Sequence, residues 1–132
     1  MTRSINEDNA QEFKTEHWPT DIKYKSEERA LHISFDNGEN FVLPAEYLRV
    51  ESPSAEVQGH HPSQKKVLSG RRMVGIMGID PVGNYAVKIT FDDLHDTGIF
   101  SWQYLYKLAT ERDVLWQKYL AELESRGLSR DP

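Results

Sequence analysis

Residues 30–43 carry the pattern that most narrows the fold. Leu31, Ile33 and Phe35 alternate with His32 and Ser34; Asp36-Asn37-Gly38-Glu39 intervenes, and Phe41-Val42-Leu43 resumes before Pro44. A period of two places every second side chain on one face of an extended strand. Asn-Gly tolerates the positive φ of a tight hairpin turn. The pattern therefore predicts a β-hairpin with one apolar face, which another part of the chain has to cover. Ile22–Lys25 is expected to add an edge strand before it.

A second set of strands follows. Val74–Ile79 reads as a strand, Asp80-Pro81-Val82-Gly83-Asn84 as its turn, and Tyr85, Val87, Ile89 and Phe91 as the apolar positions of the return strand. Asp92–Asp96 is a further turn, and Thr97–Phe100 a short third strand. Ser101 suits a helix N-cap. From Trp102 through Leu105, Leu108, Leu115, Tyr119 and Leu123, apolar residues mostly recur every three or four positions. That spacing marks an amphipathic helix, or two with a break near Thr110, ending at Gly127. The expected fold is α+β: a mainly antiparallel sheet of hairpins with a C-terminal amphipathic helix, or a pair of helices, packed on it. Between the two strand sets, Pro44–Arg49 reads as a short helical turn, and 51–72 as a long loop interrupted by Pro53, Gly59, Pro62 and Gly70. Loops beyond about 12–15 residues are often functional. Residues 1–16 are expected as a flexible arm, 17–127 as a single domain and 128–132 as a tail.

Composition excludes several chemistries. The chain has no cysteine, so thiolate zinc sites, cysteine-ligated iron–sulfur clusters and disulfides are ruled out. Its net charge of −5 argues against a general nucleic-acid binder. It has no apolar run long enough to span a membrane and no apolar leader, so a cytoplasmic protein is expected. The G-x-S-x-G elbow, the G-x-x-x-x-G-K-[ST] loop and G-x-G-x-x-G are absent, and none of the five histidines begins an H-x-D or H-x-E pair. No nucleophile, base and orienter can be assembled, and catalysis is not expected.

Three features remain. Asp92, Asp93 and Asp96 flank His95, a set that suits a divalent metal such as zinc or iron and equally suits a solvated turn. The neighbouring histidines His60 and His61 are further candidate ligands, and equally suit a polar loop. The long loop carries Lys65, Lys66, Arg71 and Arg72 with no acid between Gly59 and Arg72, a local positive excess that could receive an anionic partner surface. Tyr104 and Tyr106 cannot both share the face of Leu105, so one or both are expected where a partner docks.

His17-Trp18-Pro19, Asp36-Asn37-Gly38, Leu43-Pro44-Ala45-Glu46-Tyr47-Leu48-Arg49, Ser52–His60, Pro81–Ala86 and Phe91–Gly98 occur in the order found in one family. The stretch from about Trp18 to Leu108 resembles the bacterial DUF971 family, also called the gamma-butyrobetaine hydroxylase-like N-terminal domain. The resemblance implies the small α+β N-terminal domain of iron- and 2-oxoglutarate-dependent hydroxylases, without the catalytic domain that follows it there. In those hydroxylases three cysteines and a histidine hold zinc; the matching positions here are Ser52, Ser54, Val57 and His95, so the resemblance implies that the cysteine site is not retained. A rebuilt site would draw on His60, His95 and Asp92 or Asp93. Related domains are fused to Mrp-like P-loop ATPases carrying iron–sulfur clusters, which implies a protein partner of that kind and a role in iron–sulfur or metal handling. The expected function is a non-catalytic accessory domain docking through Lys65, Lys66, Arg71, Arg72, Tyr104 and Tyr106. The alternative is a small metal-binding domain using His95, His60, Asp92 and Asp93.

Overall fold

The computed structural model describes residues 16–59, 61–93 and 98–132. Apart from Glu16, the expected N-terminal arm lies outside them. The strands are β1 (Pro19–Lys25), β2 (Ala30–Phe35), β3 (Asn40–Pro44), β4 (Ile76–Val82), β5 (Ala86–Phe91) and β6 (Gly98–Ser101). Between β3 and β4 come α1 (Ala45–Val50), α2 (Ala55–Gln58) and a 3-10 turn (Pro62–Gln64); α3 (Trp102–Thr110) and α4 (Arg112–Ser125) follow β6. The fold is α+β, with two antiparallel three-stranded sheets ordered β1-β2-β3 and β4-β5-β6.

The first hairpin forms where the alternation placed it. Ile33 stands opposite Ile22 on one side and Phe41 on the other. Leu31, Ile33 and Phe35 are buried. Gly38, at φ +88°, takes the backbone conformation that a side chain would resist.

The second hairpin differs from expectation. β4 starts at Ile76, two residues later than expected, and runs on through Pro81 and Val82. Pro81, expected in the turn, pairs with Val87. A proline cannot donate to a ladder, but β4 is an edge strand and its outer side needs no partner. The turn shortens to residues 83–85.

One core joins both sheets. Leu31, Ile33, Phe35 and Leu43 from the first sheet pack with Val87, Ile89, Phe91 and Phe100 from the second, closed by Tyr47 and Leu48 of α1 and Leu105 and Leu108 of α3. Each such side chain contributes roughly 1.5–3 kcal/mol by leaving water. Ser101 caps α3 by accepting from the Tyr104 N–H at 3.0 Å. The helix pair breaks at Glu111, one residue beyond the expected point. A second small cluster of Val50, Tyr119 and Leu123 seats α4 against the end of α1 and the 67–68 segment. No helix among the described residues is long and apolar enough to cross a membrane.

The segment 128–132 does not hang free. The Gly70 N–H donates to the Ser129 carbonyl at 2.9 Å and the Arg72 N–H to the Arg130 carbonyl at 3.0 Å. The tail thus lies along the end of the long loop.

Candidate functional site

The unusual chemistry of the fold gathers around α1. All six of its residues are buried, including Glu46 at 5% exposure and Arg49 at 1%. Glu51, next in the chain, is also buried. A charge out of water is costly unless a partner and hydrogen bonds replace the lost hydration. Each of the three charges finds its partner on a different distant segment.

Glu46 receives a two-pronged contact from Arg130 in the tail, Nε to Oε2 at 2.8 Å and Nη2 to Oε1 at 2.7 Å. Planar guanidinium and carboxylate groups match best in this arrangement. Arg130 also stacks over the Trp116 ring, 5.1 Å from its centroid. Arg49 donates from Nε to Asp93 Oδ2 at 2.7 Å, in the turn after β5. Arg71 Nε lies 3.1 Å from the same oxygen, an ion pair by distance without hydrogen-bond geometry. Glu51 accepts from Lys65 of the long loop at 2.6 Å.

Three tyrosines tie the same region to its neighbours through backbone carbonyls. Tyr47 donates to Leu108 at 2.7 Å, Tyr104 to Glu51 at 2.5 Å and Tyr119 to Leu68 at 2.5 Å. Burial first, and the Glu46 carboxylate second, push the Tyr119 hydroxyl up to about 12. Burial likewise raises Tyr47 and Tyr104 well above the usual phenol range. All three are fixed donors at neutral pH, which suits staples and not proton transfer.

The residues singled out in the sequence divide accordingly. His60 and His95 lie outside the described residues. Among the described residues, no group of three or more His, Cys, Asp or Glu could hold a metal ion. This overturns the reading of a role in metal binding or iron–sulfur handling. Asp93, one of its supposed ligands, is committed to two guanidinium groups, whose positive charge opposes a cation there. Asp92 is exposed beyond it. The positions that match the hydroxylases' cysteines do not fit zinc either. Ser52 and Ser54 bond to each other, Oγ to Oγ at 3.3 Å, and Val57 is fully buried with no donor atom. This wall is tight: a side chain on Gly98 would come within 2.6 Å of both Pro53 Cδ and Ser52 Oγ.

The positive excess of the long loop is mostly answered from outside it. Lys65 meets Glu51, Arg71 meets Asp93, and Arg72 meets Asp131 at 2.5 Å. Lys66 remains exposed. Tyr104 serves as a buttress, and Tyr106 is occupied by Glu39 and a stack with His17, ring centroids 4.1 Å apart. Periodicity gave no warning of Glu46, Arg49, Glu51 and Arg130. The available signal was two opposite charges inside the otherwise apolar run Leu43–Val50.

Two adjoining clefts open beside this hub. One, of about 270 Å³, lies between residues 63–67 and α4, with Val50, Val67, Leu115 and Tyr119 among its lining. The other, of about 280 Å³, shares Glu51, Lys65 and Leu115 with it and reaches Tyr104 and Lys107.

The chain is similar to proteins of the same architecture. Two solution structures are each 49% identical; one covers 88% of this chain and 91% of its own at a TM-score of 0.76, the other 90% and 89% at 0.77. A crystal structure of a protein with unknown function from Acidithiobacillus ferrooxidans, belonging to the DUF971 family, is 34% identical. It covers 69% of this chain and 91% of its own at a TM-score of 0.59. No curated protein matches. The family described as gamma-butyrobetaine hydroxylase-like, N-terminal, matches residues 22–106, and its description is of that N-terminal domain and not of an oxygenase domain. With that match and the two 49%-identical relatives, the chain belongs to the gamma-butyrobetaine hydroxylase-like N-terminal family.

Proposed function

We propose that this chain is a non-catalytic accessory domain of the cytoplasm that works by docking to a protein partner through a positively charged surface. The observation that carries the reading is the division of its charges. The buried ones, Glu46, Arg49 and Glu51, are used up within the fold. Lys66, Lys107 and Lys118 are exposed and border the two clefts in a chain whose net charge is −5. Such a local field steers an anionic surface toward one face.

Tagged full-length chain, cross-linked in its native cell and purified at low and at high salt, tests the reading. The expected result is a stoichiometric partner released by salt, whose binding is reproduced with purified components. The fusion of related domains to Mrp-like P-loop ATPases makes such an ATPase the first purified component to assay. Recovery of no salt-sensitive partner overturns the reading.

A further inference from the structure

The cleft between α4 and residues 63–67 has a composition that defines its occupant. Val50, Val67, Leu115 and Tyr119 supply its apolar lining. Its charged lining is Lys65, Lys66, Lys118 and Arg126 with Glu51 and Glu122. Two of those cations are already answered, Lys65 by Glu51 and Arg126 by Glu122 at 3.2 Å. Lys66 and Lys118 are exposed and make no ion pair among the described residues. The cleft therefore combines apolar lining with two cations that are unpaired among the described residues.

Both walls are held. Tyr119 of α4 donates to the Leu68 carbonyl, and the Lys66 N–H donates to the Val57 carbonyl at 2.7 Å. A volume of about 270 Å³ falls just under the roughly 300–1,000 Å³ of small-molecule sites. That is room for one or two aliphatic side chains.

We infer that this cleft receives an acidic segment of a protein partner, with an aliphatic side chain against the Val50 and Leu115 lining and flanking carboxylates on Lys66 and Lys118. The inference rests on the docking reading above and gives it a location and a partner chemistry. Charge complementarity selects this occupant over a basic or neutral segment.

The test is a titration of the isotope-labelled full chain, followed by NMR, with the capped peptide Asp-Glu-Leu-Leu-Glu-Asp and a control carrying lysine at each acidic position. The expected result is saturable shifts confined to residues 63–68 and 115–126 with the acidic peptide alone. The double variant Lys66→Glu, Lys118→Glu binds it about tenfold more weakly, because two exposed charge pairs are lost. Lys23→Glu, on the distant strand β1, leaves binding unchanged, and the backbone spectra of both variants report that they fold.

Shifts elsewhere, equal binding of the lysine peptide, or indifference to the double reversal overturns the inference. So does a concentration-dependent dimer, or a contact from the chain's own residues 1–15, that fills the cleft instead. If a salt-sensitive partner binds the double variant as well as the native chain, the cleft is not the site and the docking reading stands. If neither partner nor peptide binds, both fall.

Discussion

Arg49 is 1% exposed, and the Asp93 carboxylate beside it offsets part of the cost of burying its charge. Truncating one partner of a buried pair leaves the other charge without compensation, at about 3–5 kcal/mol. Asp93 keeps 20% exposure and still has the Arg71 guanidinium at 3.1 Å, so the loss in Arg49→Ala is expected at or below the lower end of that range, measured by urea unfolding. Arg71→Ala removes a guanidinium that is itself 25% exposed, and is expected to cost under about 1 kcal/mol in the same assay. Equal losses from the two variants would show that Asp93 does not rely on Arg49. Tyr119 offers a second test at this scale. Its pKa rises from the usual 10.0 to about 12 in the folded chain, so the folded state holds its proton where the unfolded state has lost it. That contribution to stability is complete below about pH 10 and is lost as pH climbs through about 12. Stability measured by denaturant across that window is expected to fall, less steeply in Tyr119→Phe; an unchanged slope in the variant would remove Tyr119 from the account.

At the scale of elements, local chemistry was readable and remote pairing was not. The hairpin of β2 and β3 was evident because alternation and an Asn-Gly turn both act within a few residues. The cap at Ser101 was equally local. Ser101→Ala removes the acceptor of the Tyr104 N–H and is expected to lower stability by about 1 kcal/mol, read from the denaturation midpoint. Substituting Asp for Ser101 should restore most of the loss, which a merely volumetric effect would not do. The extension of β4 through Pro81 was hidden because it depends on β4 being an edge. Sequence patterning does not reveal which strand lies outermost. The tail was hidden for the same reason: Arg130 and Glu46 are 84 positions apart, and nothing near either of them announces the other. The local excess of positive charge was visible, but its neutralisation by Glu51, Asp93 and Asp131 required the fold.

At the scale of the molecule, two sheets that share no strand could behave as two units or as one. The core decides between these. Leu31 and Leu43 of one sheet and Ile89 and Phe100 of the other belong to a single buried cluster, and α1 and α3 lie within it. Tyr47 fastens those two helices to each other through the Leu108 carbonyl. Removing either sheet would expose the apolar face of the other, so neither has a separate stable state to populate. Trp18 beside β1, Trp102 in α3 and Trp116 in α4 report by fluorescence on the first sheet and the two helices, while far-UV circular dichroism sums over all helices and strands. The expected outcome is one transition in urea, coincident by tryptophan fluorescence and by circular dichroism. Leu108→Ala should shift both curves together by about 2–5 kcal/mol, since it opens a cavity in the shared core. Separate midpoints, or a shift seen by one probe alone, would mean that the sheets unfold independently and that the shared core does not bind them into one unit.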